Sequence, residues 1–352
     1  IEDLKELIYE FKQLKPGIKV SVKLVAGFNV GTIAVGVCKA GADIIYVCGY
    51  DGGTGAAVLG SMKHAGLPWE LGLLEAHRAL SDNDLRHQVE LRTDGGLHSG
   101  ADVVKAALMG AQGFEFGKLL LIAEGCIMAR VCEKNTCPRG IATHDPRFKK
   151  NYRGSADAVV QTLTLLAREV RTHLATLGLK SLEEAFGRTD LLEMDPRHQE
   201  LIARRRLDLR WFMQAPANET PGERQPEIAI NALNQQILTD TQEALKKNQS
   251  RDLYYQIETA DRAIPATLSG HLAQRQKELR QAKTSAYTGK VKLIFRGSAG
   301  QGFGVFLTEG LELRLFGEAN DSVCKSMSGG KVVIRPHPES NYEAGAHSII
   351  GN

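Results

Sequence analysis

The chain has 352 residues, 43% hydrophobic and 24% charged, with a net charge of +3. That length suggests two or three domains with real cores. The composition excludes a disordered chain, and the small charge gives no push toward nucleic acid. No apolar run approaches the ~20 residues of a membrane span, and six cysteines in so long a chain do not make a disulfide framework. No signal peptide is evident and Ile1 is not a start methionine, so the chain is expected to be a cytoplasmic fragment with any targeting sequence missing.

Residues 1–15 carry Leu4, Leu7, Ile8, Phe11 and Leu14 at helical spacing and predict a helix ended by Pro16-Gly17. Strands are predicted at Lys19–Val25, Asp43–Gly49, Val89–Thr93 and Gly113–Phe116, with helices at Thr32–Lys39, Leu71–Leu80 and Ala101–Gly110. This alternation implies parallel strands with helical crossovers, and four units make half of an eight-fold (β/α)8 barrel. Ser155 caps a long helix with an apolar stripe from Val159 to Leu177, ended by Gly178. Leu191–Gln225, with Pro216 and Pro221, reads as a connector, and helical pieces follow at Leu233–Asn248 and Leu268–Lys283. Lys292–Phe295, Glu312–Phe316 and Lys331–Arg335 are short strands about 20 residues apart, the period of a stacked β-helix. The expected domains are a half-barrel over 1–192, a connector over 193–284 and an all-β right-handed β-helix segment over 285–352.

The chemistry concentrates at strand ends and in one loop. Alternation puts Ser21, Lys23 and Val25 on one strand face, so Lys23 points into the barrel near the end where active sites form. The alternative is a lysine snorkelling from a strand end. Asp51-Gly52-Gly53 and Asp94-Gly95-Gly96 follow successive strands, and Gly110 and Gly117 bracket the next. Glycines there let backbone N–H groups approach a phosphate, although tight βα turns use glycine anyway. Cys126, Cys132 and Cys137 lie within twelve residues and close on Cys-Pro. Three thiolates fit a three-iron cluster, or a zinc site that borrows His144, although the usual zinc spacing is absent. Cys38, Cys48 and Cys324 read as buried thiols, and no role falls to His64, His77 or His98. Gly300-Gln301-Gly302-Phe303-Gly304 reads as a turn between rungs, since no helix follows it.

With these motifs in order, the chain resembles the glutamate synthase large (alpha) subunit family. The matching stretches include SVKLV (21–25), GYDGGTGA (49–56), TDGGLHSGADVVKAALMGA (93–111), GCIMARVCEKNTCPRGIATHDP (125–146), GSAGQGFGVF (297–306) and ANDSVCKSMSGGKVVIRP (319–336). The resemblance implies the C-terminal half of an FMN-binding barrel and the start of a β-helical domain named for its G-x-G-x-G turns. It implies a 3Fe-4S cluster on Cys126, Cys132 and Cys137. Lys23 would be catalytic and lie near the flavin, together with Asp51, Gly52, Gly53, Asp94, Gly95, Gly96 and Gly117. The implied reaction makes glutamate from 2-oxoglutarate and glutamine-derived ammonia. Its electrons would come from NADPH through a small (beta) subunit carrying FAD and 4Fe-4S clusters, in a hetero-oligomer without nucleic acid or membrane. Another FMN-barrel oxidoreductase and a truncated, non-catalytic interaction module are the alternatives. Lys118 and Glu124 stand where small or apolar residues are expected and would add charge near the cluster.

Overall fold

The computed structural model describes residues 1–52, 59–206, 208, 210, 227–282, 287–343 and 345–351. They divide into two compact units, one of Ile1 with Lys19–Gln225 and one of Glu2–Ile18 with Pro226–Asn352. The first helix, α1 (Glu2–Leu14), thus goes with the second unit, whereas the sequence pattern had grouped it with the half-barrel. Its buried residues explain this. They are Glu6, Ile8, Glu10 and Gln13, three of them polar, and their partners lie in the second unit. Glu6 pairs with Arg262, Glu10 with Lys325 at 2.8 Å, and the Gln13 amide donates to Ala229 at 2.8 Å.

The first unit is built on β1 (Ser21–Val25), β2 (Ile44–Cys48), β3 (Glu90–Asp94) and β4 (Gly113–Phe114), all parallel in the order β1-β2-β3-β4. Helices α2 (Val30–Lys39), α3 (Leu59–His64) and α4 (Trp69–Asp82) lie between these strands, followed by α5 (Gly100–Leu108) before β4 and α6 (Lys118–Ala123) after it. A four-stranded parallel sheet open at β1 and β4, with helical crossovers, is half of a (β/α)8 barrel. Ile45, Val47, Leu91 and Thr93 on one face are wholly buried. The residues between them face the other way and are largely polar. The short helix α7 (Pro146–Lys149) precedes the long α8 (Ala156–Thr176), whose N-cap Ser155 accepts from Ala158 N–H as its position suggested. Helix α5 has a full capping box of Ser99 and Asp102.

The second unit has its own parallel sheet of β5 (Arg251–Ile257), β6 (Val291–Ala299), β7 (Leu311–Ala319) and β8 (Lys331–Arg335). Its register stacks like on like: Leu253, Leu293, Leu313 and Val332 form one column, and Tyr255, Phe295, Leu315 and Ile334 the next. These columns and the helices Ala232–Lys247 and Ala266–Gln281 enclose one apolar core. Strand β5 lies in the stretch read as a connector; its polar alternation, RDLYYQI, shows burial only at Tyr255 and Ile257. Gly297 and Gly317 keep the rungs close. Their φ values are 125° and 149°, and a Cβ on Gly317 would stand 1.8 Å from the Gly297 carbonyl oxygen. The Gly300–Gly304 segment is the turn between β6 and β7, as expected. Cys38 and Cys48 are buried, whereas Cys324 is only half-buried.

Candidate functional site

Strand alternation aims a set of ionisable side chains at one face of the first sheet. Lys23, Tyr46, Arg92 and Gly113 occupy one row across β1, β2, β3 and β4, and Val25, Cys48 and Asp94 the row nearer the C-terminal ends. Lys23 forms an ion pair with Asp94, and its ammonium lies 5.9 Å from the Tyr46 ring centroid. Burial opposes the Lys23 charge, but the hydrogen bond and charge of Asp94, with Cys48 and Glu115, outweigh it and hold the ammonium above the usual lysine range. The lysine is 48% exposed, so it is a reachable cation rather than a sealed one. Asp94 Oδ1 is buried and has no hydrogen-bond partner among the described residues. Burial, reinforced by the neighbouring Asp94, pushes the Cys48 thiol up to about 12, so it stays protonated.

The glycine turns close on these strand ends. Gly95 has φ 99°, and a Cβ there would lie 2.6 Å from the Gly49 nitrogen, so only glycine lets the β2 and β3 turns approach. A Cβ on Gly52 would strike the Cys48 sulfur, and one on Gly96 would stand 3.4 Å from Asp51 Oδ2. Gly53 lies outside the described residues. Gly117, by contrast, has no atom within 4 Å of where a Cβ would stand, which leaves open space beside its backbone. Lys118 binds Asp51 through its carboxylate at 2.5 Å and its carbonyl at 2.8 Å. The charge of Lys118 is therefore matched at the β2 turn, and Glu124 accepts from the Tyr152 hydroxyl. Each of these two charges already has its own partner.

The start of α5 offers less to an anion than its glycines suggest. His98 N–H and Ser99 N–H both donate to Asp102, and Gly100 N–H donates to Glu169 at 2.9 Å. Two carboxylates already occupy that helix end. Asp51 and Asp94 would repel a phosphate, so any cradle there is made by backbone and not by these side chains.

The cysteine loop follows α6. Cys126, Cys132 and Cys137 line one small cavity with Leu121, Met128 and Arg139. Met128 N–H points at the Cys126 sulfur at 3.4 Å. Burial would raise the Cys137 thiol, but backbone N–H groups of Ala142, Arg139, Ile141 and Gly140 outweigh it and hold it below the usual thiol range. Among the described residues no group of three or more His, Cys, Asp or Glu could hold a single metal ion. The His144 backbone N–H donates to Asn135 Oδ1 at 2.8 Å, which fixes the chain there and leaves its imidazole out of that bond. A zinc ion needs its ligands converging at about 2.3 Å, whereas a cluster spreads thiolates over separate irons. The three thiols share one cavity, and backbone N–H groups face Cys126 and Cys137, so they could hold a thiolate-ligated metal centre.

Sequence reasoning missed Tyr46, Arg92 and Glu115 in this neighbourhood. The register of β2 and β3 against Lys23 is the signal that identifies the first two. It also left His77 without a role, and the structure buries it against Arg86, whose Nε donates to His77 Nδ1 at 3.1 Å. That contact serves packing at the other end of the strands.

A parallel βα sheet with ionisable groups and glycine turns at its strand ends defines an enzyme-type α/β unit, joined in the chain to a stacked-strand unit. Residues 1–180 match the family model for the conserved region in glutamate synthase, and residues 234–352 match the GXGXG motif. The chain belongs to the glutamate synthase family. It is 46% identical to ferredoxin-dependent glutamate synthase 2 of Synechocystis sp., over all of this chain and 23% of that protein. It is 42% identical to the glutamate synthase [NADPH] large chain of Azospirillum brasilense and 40% to that of Bacillus subtilis, again over 100% of this chain and 23% of each relative. The chain thus spans about a quarter of the length of these relatives. A crystal structure of mandelate oxidase with (S)-4-hydroxymandelic acid superposes with a TM-score of 0.34 at 24% identity, over 51% of this chain and 38% of that one. That match is too loose to bear on the site.

Proposed function

We propose that this chain supplies the synthase site of a glutamate synthase, where 2-oxoglutarate and glutamine-derived ammonia become L-glutamate. The observation that carries the reading is the Lys23–Asp94 pair at the strand ends, with Asp94 Oδ1 buried and unmatched, in a chain of this family. FMN, when bound, supplies the hydride that reduces the imine formed from 2-oxoglutarate and ammonia. The residues that would hold it are Lys23 and the backbone of Gly52, Gly53, Gly95, Gly96 and Gly117. Asp51 and Asp94 set the turns and neutralise the two lysines. Lys23 orients the substrate by its charge and holds a proton at Nζ, and Asp94 keeps that ammonium protonated and aimed. The loop of Cys126, Cys132 and Cys137 would hold a 3Fe-4S cluster, which relays electrons when bound.

The electron donor is read as NADPH, through a small subunit carrying FAD and 4Fe-4S clusters, in a hetero-oligomer in the cytoplasm. Relatives named ferredoxin-dependent, at 46% and 44% identity, favour a second reading in which ferredoxin is the donor. Glutamate formation with each donor, measured with the chain in its full-length context, separates the two. Anaerobic purification with flavin fluorescence and iron and sulfide analysis tests the cofactors. Flavin with iron and sulfide is the expected result, and zinc alone would overturn the cluster.

A further inference from the structure

Among the described residues, Lys23 and Arg92 are the two cations on this strand face. Arg92 stands in the same row two strands away, and its guanidinium lies 5.5 Å from the centroid of the Tyr46 ring that also faces Lys23. Tyr46 is 8% exposed, so its ring is a fixed floor between the two charges. The guanidinium is held in place from two sides. Arg92 Nε binds Glu90 Oε1 at 2.5 Å, and Nη1 donates to the Tyr46 hydroxyl at 2.9 Å. Room for its stem comes from β4. A Cβ on Gly113, the register partner of Arg92, would stand 2.6 Å from Arg92 Cγ and 2.9 Å from Nε. Five N–H donors belong to a guanidinium, and Nη2 has no partner among the described residues. The Arg92 side chain remains 32% exposed.

Lys23 Nζ and Arg92 Cζ lie 5.9 and 5.5 Å from the same Tyr46 ring centroid, so the gap between the two cations is at most the sum of those distances. A five-carbon diacid has four C–C bonds of about 1.5 Å between its carboxyl carbons, and charge-assisted contacts add ~2.8 Å at each end. The lengths are compatible. Glu90 and Asp94 neutralise the two cations and Glu115 hydrogen-bonds Tyr46, so long-range attraction is weak and selection rests on donor geometry.

We propose that Arg92 is a specificity-determining residue of this site, taking the second carboxylate of a five-carbon dicarboxylate whose first carboxylate meets Lys23. This rests on the reading that the site accepts 2-oxoglutarate, and assigns the residue that selects for its length and second charge. Tyr46 and Gly113 are positioning residues that act through Arg92.

Isothermal titration of the flavin-loaded chain with glutarate, an unreactive five-carbon diacid, and with butyrate tests the assignment. The wild-type chain binds glutarate in preference to butyrate. Arg92→Gln weakens glutarate about 10- to 100-fold, the range for a lost hydrogen-bonded charge contact, and leaves butyrate unchanged. Gly113→Ala keeps the charge but displaces the guanidinium, and lowers the glutarate preference in the same direction. Equal losses for both ligands in Arg92→Gln, an unchanged glutarate affinity, or a wild-type chain that does not prefer glutarate would each overturn the proposal. These titrations do not depend on turnover. Glutamate formation in the full-length enzyme separately tests the reaction, so glutarate selectivity without glutamate formation would overturn the proposed function and leave the Arg92 assignment standing.

Discussion

Two four-stranded parallel sheets in one chain have the same strand order and very different faces. In the first, helices separate the strands, and the polar face carries Lys23, Tyr46, Arg92 and Asp94. In the second, β6, β7 and β8 follow one another at about 20-residue intervals, and the inward columns of Leu293, Phe295, Leu313 and Leu315 are buried to 1% exposure or less. Parallel pairing alone therefore does not make a site. A charge survives on a sheet face only where a partner is built beside it, and the first sheet builds Asp94 beside Lys23 and Glu90 beside Arg92. The second sheet spends its interior on packing, and its buried charges sit under α1, where Glu6 and Glu10 meet Arg262 and Lys325.

Substitutions that separate chemistry from packing sharpen this contrast. The largest effect is expected at the cysteine loop: Cys132→Ser abolishes cluster assembly in the full-length enzyme, read as loss of the electron paramagnetic resonance signal of the oxidised protein. An unchanged signal would remove the cluster from this loop. On the second sheet, Leu313→Ala leaves a cavity in a fully buried column. It lowers unfolding free energy by about 2–5 kcal/mol, measured by urea denaturation, with no change in glutarate binding at the first sheet. A change in that binding would show that the second unit does more than pack.

His77 offers a pH test of the first unit. Burial, with Arg86 beside it, lowers its pKa to about 3 from an ordinary 6.5. Between those values the unfolded chain is protonated at this residue and the folded chain is not. Stability therefore falls as pH drops from about 6.5 toward 3, by at most roughly 1.4 kcal/mol per pH unit from this group. Above pH 6.5 the group contributes no slope. His77→Gln flattens that part of the Tm-against-pH curve; an unchanged slope would place the titration elsewhere. The smallest effect is at the α5 cap, where Ser99→Ala removes the bond to Asp102 N–H and costs about 1 kcal/mol, read in the same denaturation experiment.

Much of the first sheet was legible because its strands are short β-branched runs punctuated by Pro-Gly and Asp-Gly-Gly. Lys23 and the acids at the ends of β2 and β3 were legible from alternation and chain order. The pairing of Lys118 with Asp51 was not, because it joins turns 67 residues apart. Arg92 and Tyr46 were hidden for the same reason: each reads as an ordinary strand residue until register sets it beside Lys23. The packing of helix α1 was not legible because its apolar stripe is real but its buried positions include Glu6, Glu10 and Gln13, and only their partners reveal where it docks. Strand β5 escaped because RDLYYQI is polar at alternate positions and carries neither glycine nor proline at its ends.

The central claim is that the charged face of the first sheet handles the substrate while the second sheet supports the fold. Lys23→Ala in the full-length enzyme tests it most directly, comparing 2-oxoglutarate turnover with reduction of an artificial electron acceptor. The account predicts a loss of 2-oxoglutarate turnover of about 100-fold or more, the scale of removing one charge-stabilising group, with acceptor reduction largely retained. Equal losses in the two assays would contradict it.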